Sequence, residues 1–422
     1  MNGGMTKAAA HSAIALLAGL LLSSASAQAA DLGGNCCADL EERVAELEAT
    51  TARKGNRRMS LTVSGQVSRS ILYWNDGDDS GTYAGLDNHN QSTRFVFSGN
   101  AKIRPDLTAG FEFMTEWAGG ARTSNVSQTN VDGAISGQNQ LSPSADGILA
   151  VRTANWWLED KHWGRVTVGR INVGGPVGTI DLGGISTVAH FSPGLVGGGF
   201  VVAGGSLGSV VGPTYGGDRI EGIRYDTATL GGFLGQLTWG EDDVWSASLR
   251  YAGEHGGFRI AAGIGYQEQD LNNAPGGLDT GMTGSLAVPA AADPTTRAES
   301  EWSGSLALMH VASGLFIQGH YARSDFFNGT DARFWMVQGG ITKNWFGLGN
   351  TSLYGEFGNA EDYAKSSAVL NASDVDFFGV GAVQQIDAAA MEIFLGWRRF
   401  EVDRNGVSQD LDLVHGGARI RF

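Results

Sequence analysis

From Ser60 to the C-terminus apolar side chains recur at every second position, in segment after segment. In the first of them Leu61, Val63, Gly65 and Val67 share one face, and Ser60, Thr62, Ser64 and Gln66 share the other. A period of two marks a strand with two unlike faces. Sixteen such segments can be read, near 60–73, 92–104, 107–117, 149–159, 164–172, 218–226, 232–240, 244–253, 257–268, 300–311, 315–323, 332–343, 350–359, 376–386, 389–400 and 411–422. At ~9–13 residues they match strands that cross a bilayer at a tilt, and they exceed the five or six residues usual in soluble sheets. Their connections alternate in length. Pro105-Asp106 and the segments DKHWG, TATLGG, AGEHGG and ASG are short, whereas 74–91, 118–148, 172–217 and 269–299 are long. A soluble sandwich has no reason to sort its loops this way. An even-stranded barrel in an outer membrane does, with short turns on the periplasmic side and long loops outside. The expected fold is therefore all-β: a sixteen-stranded antiparallel transmembrane β-barrel over residues 59–422.

The rest of the chain is consistent with that fold. Among 422 residues there are 64 Gly, which disfavours long helices, and the net charge of −15 argues against nucleic acid as a partner. Residues 1–29 read as a secretory signal peptide, with Lys7, the apolar run IALLAGLLL and a small-x-small site at Ala27-Gln28-Ala29. Cleavage after Ala29 or Ala30 fits equally. No later apolar run is long enough for a transmembrane helix, so a membrane location requires a closed barrel. In the segment 30–58, Leu40, Val44 and Leu47 mark a short periplasmic helix over Asp39–Ala52. It either trimerises as a short coiled coil or packs as an amphipathic helix on the barrel mouth, and 39–58 can also contact the peptidoglycan layer. The only cysteines, Cys36 and Cys37, are adjacent, which gives no disulfide framework and no metal site.

The stretch 171–217 has the wrong composition for an ordinary loop. About one residue in three is Gly, against a usual ~7%. Asp181 is its one charged residue, and Val, Leu, Ile and Phe run throughout. A flexible linker would be richer in Ser and charge. The expectation is a loop that folds into the barrel lumen, packs on the wall and narrows the opening.

Aromatic residues sit near the expected strand ends: Tyr73, Trp74, Trp117, Trp156, Trp157, Trp163, Tyr225, Trp239, Trp302, Trp345 and Trp397. Such rings form the interfacial girdles of membrane barrels. The last segment, DLDLVHGGARIRF, puts Val414, Gly416, Ala418, Ile420 and Phe422 on one face and ends on the aromatic residue. A terminal strand ending in Phe resembles the assembly signal of bacterial outer-membrane barrels. The segments CADLEERVAELEATTARKGNRRMSLTVSGQV and VQQIDAAAMEIFLGWRRF resemble those of the alphaproteobacterial trimeric porins of rhizobial type. That resemblance implies three barrels per assembly and a third loop folded inward, here 171–217. It departs from many porins in giving this loop a single acid.

Strand parity nominates the residues that face water. With Phe95 and Phe97 turned to lipid, Arg94, Asn100, Lys102 and Arg104 face the lumen; with Leu107, Phe111 and Phe113 outside, Glu112 and Glu116 face it too. Arg152, Arg224 and Arg259 join them, because a charge facing lipid at mid-depth costs about 2–4 kcal/mol. Asp181 opposite Arg94, Arg152, Arg224, Glu112 and Glu116 would set a transverse field at the constriction; a plainer reading is that these charges merely solvate the lumen. Arg69 and Arg170 fall on the outer face, so either a bulge turns them in or that face is a subunit contact. Asp76, Asp78 and Asp79, and the run Glu241-Asp242-Asp243, lack full calcium-ligand spacing, but a divalent cation bridging such external acids to lipopolysaccharide is possible. No histidine sits in a nucleophile or metal motif, so catalysis is not expected. The expected function is a non-enzymatic porin of the outer membrane, a homotrimer passing small hydrophilic solutes. The alternatives are a channel specific for a sugar or an anion, or a barrel hydrolase.

Overall fold

The computed structural model describes residues 59–117, 120–129, 149–173, 177–178, 180–212, 219–269, 298–363 and 372–422. The signal peptide, the helix expected at 39–52 and Cys36-Cys37 lie outside the described residues. No described helix is long and apolar enough to cross a membrane.

The strands are β1 (Thr62–Asn75), β2 (Ser80–Asp87), β3 (Arg94–Arg104), β4 (Leu107–Trp117), β5 (Leu149–Asp160), β6 (Gly164–Asn172), β7 (Val201–Val202), β8 (Gly205–Ser206), β9 (Arg219–Asp226), β10 (Phe233–Gly240) and β11 (Trp245–His255). They continue as β12 (Phe258–Glu268), β13 (Ala298–His310), β14 (Leu315–Phe326), β15 (Asp331–Lys343), β16 (Thr351–Glu361), β17 (Ser373–Ile386), β18 (Met391–Arg404) and β19 (Val407–Arg421). All but the small β7–β8 hairpin join one antiparallel ring of 16 staves, closed where β1 pairs with β19. Closure leaves no unpaired edge, which is the condition for strands to cross hydrocarbon.

The second stave departs from the expected pattern. Residues 74–91 were expected to form a long external loop, but they turn tightly at Asp76–Asp79 and return as β2. The upper half of β1 pairs with β2 (Arg69↔Asp87 to Asn75↔Ser80) and the lower half with β3 (Thr62↔Ser98 to Gln66↔Arg94). Between β2 and β3 the chain leaves the wall and makes a short 3-10 turn, His89–Gln91, inside the barrel. The top of the last hairpin is also longer than expected. Residues 401–410 continue β18 and β19 around Asn405-Gly406, whose positive φ of 52° and 78° is what a two-residue hairpin turn demands.

The register sorts the side chains. On the outside, rings touch around the loop end: Trp245–Tyr266 (5.3 Å), Tyr266–Trp302 (4.8 Å), Trp335–Phe357 (5.2 Å) and Phe378–Trp397 (5.5 Å). A second set lies near the opposite end, with Phe233–Tyr251 (4.7 Å), Phe258–His310 (4.9 Å) and Phe95–Phe422 (5.8 Å). Leu249, Ile264, Leu306, Ile317, Leu353, Val380 and Leu395 are exposed between them. This is an apolar band with two girdles. Trp74 and Trp157 do not belong to it; both turn inward and are buried.

Candidate functional site in the barrel lumen

The third loop fills one side of the barrel. Phe191, Val196, Phe200, Val202, Leu207 and Val210 form one apolar cluster with Phe334, Phe377, Phe400, Leu413, Leu72 and Trp74 of the wall. Ile185, Val188 and Ala189 pack on Met309, Phe316, Tyr354 and Phe394, and Val177 and Ile180 on Ala261 and Ala307. Each fully buried large side chain contributes roughly 1.5–3 kcal/mol. The inner face of a membrane barrel is ordinarily polar. Here β13 to β19 carry Phe, Leu and Val inward because those positions meet a loop and not water.

Glycine is what lets the loop lie so close. A Cβ on Gly183 would meet the Phe316 ring at 2.4 Å, and one on Gly197, with φ +83°, would meet Leu413 at 2.4 Å. An irregular buried chain must also find partners for its amides and carbonyls, and the wall supplies them. Ser303 Oγ accepts from the Val177 amide (2.6 Å), Ser305 Oγ from Ile180 (3.2 Å), Gln318 Oε1 from Leu182 (3.1 Å) and Gln409 Oε1 from Ala203 (2.8 Å). Thr342 and Ser352 donate to Gly183 O (2.9 and 2.7 Å), Gln338 to Ala189 O (3.3 Å) and Arg398 to Pro193 O (3.4 Å).

The break in the second stave clamps the same loop. Asn88 Nδ2 donates to Thr187 O (2.9 Å) and Asn90 Nδ2 to Val188 O (3.1 Å), while Gln66 Nε2 holds the inserted turn through Ser92 O (2.8 Å). Thr123 adds a hydroxyl bond to Leu195 O (2.8 Å) and accepts the Gly197 amide (2.7 Å) through its carbonyl. None of these residues was singled out from sequence. The legible signal was the wholly polar run Asn88–Thr93 directly after a strand-like segment.

The remaining lumen is bounded by the inward faces of β3 to β6 and β9 to β11, and there Arg94, Glu112, Glu116, Arg152 and Arg224 lie. Arg94 donates to Gln91 Oε1 (2.6 Å), and among the described residues no carboxylate comes within ion-pair reach of it. Glu116 pairs with Arg152 and stands 3.9 Å from Arg122. Arg152 reaches the lumen through a β-bulge, where the β4–β5 register slips between Met114 and Thr115. Glu112 accepts from Thr153 (3.2 Å), and Arg224 bridges Asp226 (3.2 Å) and Asn172 O (3.1 Å). Arg259 faces inward but at the mouth, paired with Glu254 at 3.0 Å.

Asp181 is in the loop, yet its carboxylate serves the loop itself. One oxygen accepts the Gly184 amide (2.8 Å) and the other the Ser186 amide (2.8 Å). Sequence reasoning also passed over two pairs on the wall behind and below the loop, Arg398–Glu356 (2.8 Å) and Arg419–Glu392 (2.7 Å). Arg69 and Arg170 keep their outward parity, and no bulge turns them in. Arg69 lies 5.2 Å over the Trp117 ring, and the acid nearest Arg170 is Glu221 of the same chain at 3.9 Å. At the loop end, partial burial pushes the Asp76 carboxyl up. The amides of Asp79 (2.8 Å) and Asp78 (3.1 Å) and the Gln128 side chain (3.0 Å) outweigh that and hold it below its usual range.

A closed barrel with two girdles and a loop packed inside it is the architecture of a pore, and the family comparison agrees. A family model described as Gram-negative porin matches residues 12–405. The chain belongs to the Gram-negative porin family. This porin forms a channel in the outer membrane. Solved structures with the same fold include an anion-selective porin from Comamonas acidovorans (15% identity, TM-score 0.53, 86% of this chain and 100% of that one). The outer membrane channel DcaP of Acinetobacter baumannii is similar at 12% identity and TM-score 0.52, covering 88% of this porin and 100% of its own chain. Salmonella typhi OmpF, in complex with daunomycin, follows at 14% identity and TM-score 0.51, covering 86% and 98%. No curated protein sequence matches.

Proposed function

We propose that solutes cross this porin by passive diffusion, between the inward loop and the wall formed by β3 to β6 and β9 to β11, without chemistry at the site, and that the path favours small anions. The observation that carries the preference is Arg94. Among the described residues no carboxylate forms an ion pair with it, whereas Glu116 is already tied to Arg152 and Asp226 to Arg224. Net charge is a poor guide to what the lumen admits, because the field along the path is set by the charges that line it.

The test is the reversal potential of reconstituted channels under a salt gradient. The wild type is expected to prefer chloride over potassium, and Arg94→Gln to lower that preference, most strongly at low salt where screening is weak. A cation-selective wild type, or an Arg94→Gln channel with unchanged selectivity, would overturn the reading. Asp181→Asn serves as a comparison. Because its oxygens hold backbone amides, its expected effect is a looser loop more than a shift in ion preference.

The same proposal takes the assembly to be a homotrimer of rhizobial type, with outward Arg69 and Arg170 at or near a subunit contact. It also takes the external acids Asp76, Asp78 and Asp79 and the run Glu241-Asp242-Asp243 to meet lipopolysaccharide through divalent ions. Phe422 is taken as the assembly signal. Its amide donates to Gly65 O (3.1 Å), its carbonyl accepts the Gly65 amide (2.8 Å), and its ring lies on Phe95 at the β1–β19 seam. Deleting Phe422 is expected to lower the outer-membrane yield severalfold while export to the periplasm continues, as read by fractionation and immunoblot. Wild-type yield of the truncated chain would contradict it.

A further inference from the structure

One buried acid of the inner wall takes no part in the contacts described so far. Glu301 on β13 is 3% exposed. Its Oε2 accepts a long bond from Ser324 Oγ (3.4 Å), its Oε1 has no partner, and among the described residues no Lys or Arg lies within ion-pair reach. A carboxylate held this way is costly unless something positive or a proton accompanies it.

The register shows what surrounds it. Ser246↔Gln267, Gln267↔Glu301 and Glu301↔Ser324 place these side chains in one row across the inward faces of β11 to β14. Gln269 lies one inward position above Gln267. The row is rich in oxygen acceptors buried on the inward face. Ser246 Oγ and Gln269 Oε1 are buried without a partner, like Glu301 Oε1. The orientation of the Gln269 amide is fixed, because its Nε2 donates to Ala298 O (2.6 Å) and the reverse placement would set two oxygens together.

We propose that Glu301, with Gln269 and Ser246, forms a cation site on the inner wall near the loop end, suited to a hard, oxygen-liganded ion such as Ca2+. Carboxylate, amide and hydroxyl oxygens from neighbouring strands are the donors such an ion takes, and its flexible coordination accepts a set completed by water. Mg2+ fits less well, since it demands near-octahedral geometry and sheds water reluctantly. With one carboxylate in the set, the affinity belongs to the weak range of about 0.1–1 mM. A bound divalent ion would turn this part of the vestibule from negative to positive, which favours the entry of anions.

Terbium is the probe, as a Ca2+ surrogate whose emission is excited by nearby aromatic rings; Trp245, Tyr266 and Trp302 stand on the outer face of the same three strands. The full mature chain, refolded in detergent free of lipopolysaccharide, is titrated with terbium and then with Ca2+ or Na+. The expected result is one saturable component per chain that millimolar Ca2+ displaces, that Na+ at the same concentration does not, and that Glu301→Gln abolishes. Displacement by Na+ and Ca2+ alike would overturn the assignment to a divalent ion. A Glu301→Gln titration that superimposes on the wild type would overturn the site and leave Glu301 as a neutral, protonated acid. Heat-shifted mobility on a gel shows whether the variant is folded. Gln269→Leu, which leaves the carboxylate in place, should weaken the component severalfold, and an unchanged component in that variant would also count against the site.

Discussion

Excising residues 195–207 is expected to raise single-channel conductance severalfold and leave the barrel closed. The excised piece carries Val196, Phe200, Val202 and Leu207, four of the side chains that hold the loop against the wall. The ends left behind are already neighbours. A Cβ on Gly194 would lie 3.3 Å from the Cα of Gly208, so the two can be rejoined with little rearrangement. The ring itself is hydrogen-bonded strand to strand and does not depend on the loop for closure. Its inner wall, however, would expose Phe334, Phe377, Phe400 and Leu413 to water, at roughly 1.5–3 kcal/mol for each large side chain uncovered. The variant should therefore unfold at lower temperature while conducting more. Planar-bilayer recording with heat-shifted gel mobility reads both. A folded variant with wild-type conductance would mean that the loop does not restrict the path.

The second large effect is expected at Arg398. Its guanidinium bonds Glu356 through Nε and Nη2 (2.8 and 3.1 Å), reaches Pro193 O of the loop through Nη1 and lies 5.8 Å from the Phe377 and Phe400 rings. The pair is nearly sealed, with side chains 8% and 1% exposed. Removing one partner of such a pair typically costs about 3–5 kcal/mol, because the other charge is left buried and alone. Arg398→Met should thus lower the unfolding midpoint sharply and make the open current noisy as the loop loosens. Replacing both members, in Arg398→Met with Glu356→Leu, should recover much of the stability, since no charge is then stranded. Equal losses in the single and double variants would show that Arg398 acts by packing and not by charge.

The barrel was legible in the sequence because its physics is periodic. A period of two over sixteen segments, sorted loop lengths and aromatic ends all report the same membrane constraint, and parity alone was enough to place Arg94, Glu112, Glu116 and Arg224 inside. The inward loop was legible from composition, since small apolar residues with a single charge have no business in water. What escaped was aperiodic. Leaving the wall at Asn88 and re-entering at Arg94 keeps the count of staves unchanged, so the break in the second stave left no trace in the strand tally. Trp74 looks like a girdle residue until the loop inside gives it Phe200 to face at 5.3 Å, and Trp157 turns inward under the Arg165 guanidinium at 4.2 Å. Arg152 is turned inward by a bulge, and Asp181 caps its own turn; both are decided by backbone geometry one residue wide. The Asn405-Gly406 turn is different, because that dipeptide between two alternating runs is a readable hairpin signal and it extends both strands.

The account turns on where the open path lies: along the charged wall of β3 to β6 and β9 to β11, with the apolar wall behind the loop sealed. Single cysteines test this directly in a chain with Cys36 and Cys37 replaced by serine. Arg224→Cys sits on the proposed path, whereas Ala322→Cys sits in the apolar cluster beneath the loop, where Ala322 is fully buried. A negatively charged methanethiosulfonate reagent added during bilayer recording is predicted to cut the current through Arg224→Cys channels and leave Ala322→Cys channels unaffected. Block of Ala322→Cys with Arg224→Cys untouched would contradict it.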